Sequence, residues 1–384
     1  MKYIRTYGDY NSWKLDYSDT SRGFRLKPTL YKYSDVGIES NILLETDDPR
    51  KHGDSTYMEI TLDSDTEFSF YIGNAPDDTQ TTMTCTIDWG DGTVETKTIT
   101  ADDKGFKLSH NYVAGSYKIE LYDVERDYSM IGVYNTSLIS PIDSVKRVVL
   151  GGSVVSIGNS AFSSCTSLTS VYIPEGVTSI GDYAFYYCTS LTSINIPEGV
   201  TSIGNSAFIY CTSLKSIYIP EGVTSIEAQA FSNCTSLTSV YIPSSITITL
   251  INSYVFQNCT SLTSVYISEG VTEIGWYVFR SCTSLTSVYI SEGVTVIGNG
   301  AFQSCTSLKS IDIPKNVTSI GVSAFGSCSS LTSISSLNTT APTLGNDVFA
   351  NIPTNGTLHI KQGATGYDAW LNALPSGWKI VESL

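Results

Sequence analysis

The hydrophobic positions of residues 147–350 recur in a fixed order. In the stretch LTSVYIPEGVTSIG (168–181), the pattern L-x-x-V-x-I predicts a short strand with one buried face. The following P-E-G predicts a turn, because Pro suits a strand end and Gly accepts conformations that other residues resist. The next pair, V-x-x-I, predicts a second inward segment that Gly ends. The closing A-F-x-x-C predicts a short helical turn on the opposite wall.

This pattern returns with a period of 23 residues. Phenylalanines and cysteines keep the same step, with one gap of 25 residues that predicts a bulged loop. Such a period predicts a solenoid, in which neighbouring repeats bury the apolar face of each unit. The cysteines are Cys165, Cys188, Cys211, Cys234, Cys259, Cys282, Cys305 and Cys328.

The regularly spaced cysteines could bind a metal, form disulfides or fill the core. They recur in step with Leu, Val, Ile and Phe, which indicates an inward, buried position. No C-x-x-C pair occurs and the chain has three histidines, so a zinc site is disfavoured. Disulfides stay an alternative, because the spacing between stacked strands permits them. We predict buried free thiols and no metal site.

The repeat L-x-x-I-x-I-P-x-x-V-x-x-I-G-x-x-A-F-x-x-C resembles the BspA-type leucine-rich repeats of bacterial surface proteins. This resemblance implies a right-handed solenoid with a parallel sheet, and adhesion to host proteins, other bacteria or matrix. The tail GTLHIKQGATGYDAWLNALPSGWKIVE resembles the usual ending of that family, a final strand and a cap. Trp370 and Trp378 would close the open end of the core.

The first part of the chain has a different pattern. Alternating strands flank Asp91-Gly92, a hairpin signal. W-G-D-G-T with H-x-Y-x-x-G-x-Y-x-I resembles PKD-like, immunoglobulin-type domains over about 56–140. Calcium at Asp88 and Asp91 is an alternative, but Asp in such a turn mostly bonds the backbone.

Together these patterns predict a mainly β protein: an N-terminal β-sandwich followed by a right-handed leucine-rich-repeat solenoid with a parallel sheet and short helical turns. The segments are an N-terminal arm (1–55), the PKD-like sandwich (56–146), the repeats (147–350) and a capping segment (351–384). The tyrosine-rich arm is either a small β element or a segment that docks or oligomerises.

The charge and the apolar segments of the chain argue against two classes of function, nucleic-acid binding and membrane insertion. The net charge is −15, and residues 147–384 contain only 7 of the 22 basic and 12 of the 37 acidic side chains. No basic stripe exists, so nucleic-acid binding is not expected. No segment reaches the ~18 apolar residues of a membrane span, so membrane insertion is not expected either. The N-terminus MKYIRTYGDYNSWKL lacks the apolar segment of a secretory signal.

No catalytic motif of the nucleotide-binding, zinc-protease or serine-hydrolase types occurs, and we predict neither an enzyme nor a cofactor. The glutamates at one turn position per repeat are interpreted as a solvated edge. They are Glu175, Glu198, Glu221, Glu269 and Glu292.

Surface positions remain as candidate ligand sites. A strip of outward strand tyrosines can stack sugars or anchor protein partners; the alternative is that Tyr simply suits a strand. The strip comprises Tyr172, Tyr218, Tyr241, Tyr266 and Tyr289. A second set flanks the A-F pair, where packing between turns is the alternative. It comprises Tyr183, Tyr187, Tyr210, Trp276 and Tyr277.

The sequence therefore predicts a non-catalytic attachment protein that binds a host or bacterial surface protein or glycan outside the cell. The missing signal favours a phage fibre or decoration protein, whose arm contacts other virion proteins, over a bacterial adhesin. A structural or oligomerisation spacer without a ligand is the alternative.

Overall fold

The computed structural model describes residues 55–74, 81–101, 105–122, 124, 128–130, 142–243 and 250–382. The predicted N-terminal arm lies outside these ranges except for Ser55. Within them the chain forms 27 strands and a single α-helix, α1 (Asp368–Ala373). The predicted mainly β class is therefore confirmed. Across these ranges, no helix is both long and apolar enough to span a bilayer.

Seven strands precede the repeats and form two groups of antiparallel pairs. They are β1 (Thr56–Leu62), β2 (Thr66–Asn74), β3 (Thr82–Asp88), β4 (Val94–Thr100), β5 (Phe106–Tyr112), β6 (Gly115–Tyr122) and β7 (Tyr128–Met130). One group has the order β1-β6-β3-β4, and the other has the order β7-β2-β5. Buried residues of both groups, such as Met58, Phe70 and Trp89, belong to one core.

The predicted hairpin is formed by β3 and β4, which pair antiparallel from Asp88 opposite Val94. Asp88 accepts a hydrogen bond from the backbone of Gly90 at 2.8 Å, and Asp91 accepts one from Thr93 at 2.9 Å. Both aspartates thus shape the turn, as the sequence indicates. These contacts explain the spacing of the W-G-D-G-T motif, because each carboxylate bonds the amide two residues on.

Both groups of N-terminal strands continue directly into the repeats. Strand β1 pairs antiparallel with β8 (Val145–Val149), and β7 pairs parallel with β9 (Val154–Ile157). The first strands of the solenoid therefore have hydrogen-bonded neighbours on their N-terminal side.

From residue 143 the chain forms rungs, each of which we count as ending at its cysteine: rung 2 is 166–188 and rung 6 is 260–282. The first strands of successive rungs pair in parallel or lie side by side. They are β10 (Ser170–Tyr172), β12 (Ser193–Asn195), β14 (Ser216–Tyr218), β16 (Ser239–Ile242), β18 (Ser264–Ile267), β20 (Ser287–Ile290), β22 (Ser310–Ile313), β24 (Ser333–Ser336) and β26 (Thr357–Ile360).

The second strand of each rung is shorter and forms a separate parallel row. After β9 these strands are β11 (Ser179–Ile180), β13 (Ser202–Ile203), β15 (Ser225–Ile226), β17 (Leu250–Ile251), β19 (Glu273–Ile274), β21 (Val296–Ile297), β23 (Ser319–Ile320) and β25 (Thr343–Leu344). Equivalent residues face each other across rungs, for example Ile274 and Ile297.

The core contains the residues that the period predicts. The cysteines are fully buried, and each thiol from Cys188 onwards donates to the carbonyl of the phenylalanine in the preceding rung; for Cys211 and Phe185 the Sγ···O distance is 3.2 Å. The phenylalanine rings stack from Phe162 to Phe349, with centroids 5.1–6.0 Å apart. The prediction of buried thiols is confirmed.

The segment after the second strand is not the predicted helical turn. Two residues per rung, one before the Ala and one before the Cys, have positive φ, for example Tyr183 at 56° and Tyr187 at 60°. Positive φ breaks the α-helical pattern. The backbone instead alternates bonds within a turn and bonds to the next rung: Ser163 donates to Ser160, and Ser164 donates to Tyr186. We call this segment the turn wall.

The C-terminal residues cover the last rung. Trp370 of α1 packs its ring 5.6 Å from Phe349 and donates to the carbonyl of Pro342. Strand β27 (Lys379–Glu382) pairs parallel with β26, and Trp378 is buried. Both tryptophans thus lie in the core, and Trp370 ends the phenylalanine stack.

Candidate functional site

Many polar residues of the rungs belong to the framework. Threonine hydroxyls donate to the carbonyl of the equivalent residue one rung earlier, as Thr201 does to Thr178 at 3.1 Å and Thr286 to Thr263 at 3.2 Å. Each such bond contributes about 0.5–1.5 kcal/mol. These residues are therefore explained by folding, and a binding site must be sought where a rung departs from its neighbours.

Three of the predicted strip tyrosines form a continuous stack. Tyr241, Tyr266 and Tyr289 lie opposite one another in β16, β18 and β20. Their ring centroids are 5.4 and 4.7 Å apart, with interplanar angles of 17° and 8°. All three rings are half-buried. The strand register thus aligns one aromatic row that solvent still reaches.

The other two strip residues differ. Tyr218 is only 7% exposed, and its hydroxyl lies 3.4 Å from Glu198, so it offers little surface to a ligand. Tyr172 is half-buried in β10 and is separated from the stack by Asn195, the residue that pairs with Tyr218. The continuous accessible part of the predicted strip therefore begins at Tyr241.

Carboxylates border the stack. The Tyr241 hydroxyl donates to Glu221 at 3.4 Å. Burial and the nearby Tyr266, Glu269 and Glu292 raise the pKa of Tyr289 to about 12. Burial, followed by the charge of Glu269, also raises the pKa of Tyr266. The stack thus combines aromatic faces with negative charge.

The interpretation of the turn glutamates as a solvated edge holds for Glu175, Glu198 and Glu269, which are exposed. It needs correction for Glu221, which is half-buried and accepts the Tyr241 hydroxyl, and for Glu292, which is also half-buried. The Oε2 of Glu292 is shielded from solvent and has no hydrogen-bond partner in the described residues. A shielded carboxylate oxygen is costly, so its place beside Tyr289 is not explained by solvation.

Four of the five predicted residues of the turn wall occupy its positive-φ positions, and Trp276 lies one residue before such a position. Tyr183, Tyr187, Tyr210 and Tyr277 all have φ between 56° and 63°, and Tyr254 has φ 64°. The remaining positions of this kind hold Ser, Asn, Gln, Gly or Asp. This conformation costs an L-residue about 1 kcal/mol or more, and Asn and Gly adopt it most readily. Folding alone therefore does not select tyrosine there.

Two aromatic groups result on the turn wall. In rungs 2 and 3, Tyr186 contacts Tyr183, Tyr187 and Tyr210, with ring centroids 5.4–6.2 Å apart. Tyr187 is 43% exposed and Tyr210 36%. Packing between rungs thus explains part of this group, and the outer faces stay accessible.

The second group lies in rungs 5 and 6. Tyr277 stacks on Tyr254 at 5.2 Å, and the Arg280 guanidinium lies 5.5 Å from the Tyr277 ring. Trp276 beside them is 55% exposed, the largest exposed fraction of any aromatic side chain in the described ranges.

The candidate residues therefore do not form one site. The tyrosine stack belongs to the first strands, and the two aromatic groups belong to the turn wall. Sequence reasoning did not single out Glu273 and Arg280, which accompany Trp276 in rung 6. The available signal was that Glu273 is the one charged residue at its position in the repeat, where most rungs have Ser.

Comparison with known proteins finds one matching family and several similar solved structures. The model of the BspA type leucine rich repeat region matches residues 140–250 and 249–365, more than half of the chain. A leucine-rich repeat protein from T. pallidum is 29% identical, with 48% of this chain and 83% of that chain covered and a TM-score of 0.40. One from Bacteroides ovatus is 22% identical, with 80% and 100% covered and a TM-score of 0.34.

A leucine rich cell surface protein from Faecalibacterium prausnitzii is also 22% identical, with 81% and 100% covered and a TM-score of 0.33. No curated protein matches the chain.

Proposed function

Since the chain belongs to the BspA-type leucine-rich repeat family, we propose that it is a non-catalytic attachment protein that binds a surface protein or glycan through its solenoid. The observation that carries this proposal is the stack of Tyr241, Tyr266 and Tyr289. Aromatic residues with one polar end are enriched where proteins bind partners, because they offer apolar area and a hydrogen bond together.

The chemistry of the stack favours a partner with apolar faces and hydrogen-bond donors. Glu221, Glu269 and Glu292 surround the tyrosine hydroxyls, so hydroxyl groups of a glycan or cationic side chains of a protein would find acceptors. An anionic partner would be repelled by the same carboxylates.

We include an extracellular location in this proposal because the repeats of this chain resemble those of bacterial surface proteins. A bacterial adhesin and a phage fibre or decoration protein both fit it. In either case residues 1–55 would dock on a larger particle or assembly, and 56–146 would act as a PKD-like module between this arm and the solenoid.

The alternative is a structural spacer. Its support is that tyrosine suits β-strands and that stacked cross-strand pairs contribute about 0.2–1 kcal/mol each. The stack would then stabilise the solenoid without any ligand.

The test uses the full chain, because strand pairing between β1 and β8 joins the N-terminal strands to the repeats. We would measure retention on intact bacteria and on a glycan array for the wild type and for Tyr241→Ser/Tyr266→Ser. Serine is a natural choice, since Ser335 occupies the same position in β24. Asp312→Ser is the matched control, an exposed non-aromatic residue at the equivalent position.

We expect the double variant to lose binding while its far-UV circular dichroism stays unchanged, and the Asp312 variant to bind normally. Equal binding by all three proteins would exclude the stack as the site. No binding by the wild type to cells or glycans would support the spacer.

A further inference from the structure

Rung 6 departs from the repeat at two positions three residues apart. At the first, most rungs have Ser, and Glu273 places a carboxylate there. At the second, five of nine rungs have Asn or Asp, and Trp276 replaces them. The usual Asn has a framework role: the Asn299 Oδ1 accepts the backbone N–H of Val322 at 2.8 Å. Trp276 cannot accept such a bond, so folding does not account for it.

Both departures face the same groove. A groove of about 390 Å³ runs from Glu273 and Trp276 across the next three rungs. Its volume is within the range of small-ligand sites. Its floor is a row of glycines, Gly298, Gly321 and Gly345.

The glycine floor is a consequence of how closely the rungs approach. A Cβ on Gly321 would lie 2.5 Å from the backbone nitrogen of Asn299, and one on Gly345 would lie 2.6 Å from that of Val322. A side chain at either position would therefore require the backbone of the preceding rung to shift. Ser319 and Thr343 line the groove beside the glycines.

The aromatic end of the groove is firmly supported. The ring of Tyr277 lies over Gly300, where any Cβ would overlap it, and Gly300 is the only glycine at that position in the repeat. Tyr254 stacks on Tyr277, and Arg280 contacts its ring. Trp276 is thus attached to a packed backbone while more than half of its own side chain stays exposed.

We propose that this groove binds a neutral saccharide. The Trp276 ring would stack on the apolar C–H face of a sugar ring, and Glu273 would accept bonds from its hydroxyls. The amide of Asn299 and the hydroxyls of Ser319 and Thr343 would supply further hydrogen bonds. Because Glu273 is the only charged residue in the lining, an acidic sugar would be repelled.

A peptide strand fits less well. Recognition of an extended peptide by added strand pairing requires an open sheet edge. Strands β19, β21 and β23, which line the groove, already pair on both sides. A saccharide needs no such edge, so the polar side chains and the exposed indole can serve it directly.

This site is separate from the tyrosine stack, and its test leaves the stack intact. The probe is an array of neutral oligosaccharides terminating in glucose, galactose, mannose or N-acetylglucosamine, with sialylated counterparts, followed by titration calorimetry of the best binder. The variants restore the repeat: Trp276→Asn and Glu273→Ser introduce the residues that other rungs carry. They should therefore fold. Trp276→Phe keeps an aromatic face, and Asp312→Ser is the control outside both sites. The variant Tyr241→Ser/Tyr266→Ser distinguishes binding at the stack from binding in the groove.

We expect the wild type to bind a neutral oligosaccharide in preference to its sialylated counterpart. Trp276→Asn and Glu273→Ser should each weaken binding by roughly tenfold. Trp276→Phe should retain most of the affinity, and Asp312→Ser should bind as the wild type does.

Absence of neutral-oligosaccharide binding by the wild type would overturn the proposal, as would binding that Trp276→Asn leaves unchanged. A lysine- or arginine-rich peptide that binds and loses affinity in Glu273→Ser, with no sugar bound, would also overturn it in favour of a peptide site. Loss of binding only in the stack variant would support the proposed function and reject the groove.

Discussion

Replacing the glycine of the P-E-G turn by alanine tests how closely neighbouring rungs approach each other. A Cβ on Gly199 would lie 2.7 Å from the Glu175 carbonyl oxygen of the preceding rung. At Gly176, in the same local sequence one rung earlier, the nearest atom would be 3.6 Å away, because a different turn precedes it. The two glycines therefore have the same local sequence, but the preceding rung leaves more space beside Gly176 than beside Gly199.

The expected magnitude follows from the hydrogen bonds next to this turn. Ordinary C···O contacts are about 3.3 Å or longer, so Gly199→Ala must open the gap by roughly 0.6 Å. The backbone N–H of Thr201 bonds the carbonyl of Thr178 at 2.9 Å, and its hydroxyl bonds the same oxygen at 3.1 Å. Such an opening would take both bonds beyond normal length. At about 0.5–1.5 kcal/mol each, the cost is about 1–3 kcal/mol.

The assay is equilibrium urea unfolding of both alanine variants, followed by far-UV circular dichroism. Gly176→Ala should be neutral or stabilise by about 0.4–1 kcal/mol, because alanine lowers the entropy of the unfolded chain. Gly199→Ala should lower the midpoint clearly. Equal midpoints for the two variants would refute the reasoning, since the entropic effect is common to both and only the contact between rungs differs.

Three further outcomes are expected. In the native protein none of the nine cysteines should react with a thiol reagent, because all nine are buried and burial raises the pKa of the repeat cysteines, to about 12 for Cys259. In denaturant without reductant all nine should react, and fewer than nine would indicate disulfides. Tyr289 should ionise near pH 12. The neutral side chain therefore contributes its full share of the folding stability below about pH 10, and this contribution is lost as the pH rises towards 12. The absorbance titration of wild type minus Tyr289→Phe measures this, and a difference centred at pH 10 would contradict it. A hydrogen bond from His110 lowers the pKa of Asp91, so its stabilisation is present above the ordinary aspartate value of 3.8 and lost as the pH falls below it. Asp91→Asn should therefore lose stability at pH 7 and show a flatter acid limb in pH-dependent urea unfolding; an unchanged limb would contradict this.

The core of the repeats was predictable because its physical requirement repeats. Each rung must bury the same apolar face, so Leu, Val, Ile, Phe and Cys return at fixed positions and identify the inward side. The hairpin at Asp91 was predictable for a local reason, since Asp-Gly fixes the turn. The resemblance to BspA-type repeats agreed with the first of these.

The turn wall and the groove could not be predicted in the same way. Sequence periodicity does not distinguish a helical turn from a segment with alternating positive φ, because both return an Ala, a Phe and a Cys to the core. The burial of Tyr218 depends on contacts that its neighbours in the repeat do not share. The groove is visible only when distant positions, Glu273 and Gly321, are brought side by side by stacking.

The contacts between successive rungs recur at fixed positions of the repeat. A duplication or deletion of one whole 23-residue unit would consequently connect like with like, and the thiol–carbonyl, threonine and phenylalanine contacts would all re-form. The length of this molecule can thus change in steps of about 4.8 Å by simple recombination within its gene. The distance between the N-terminal strands and a binding rung is then an evolvable quantity, which selection can adjust without altering the rung itself.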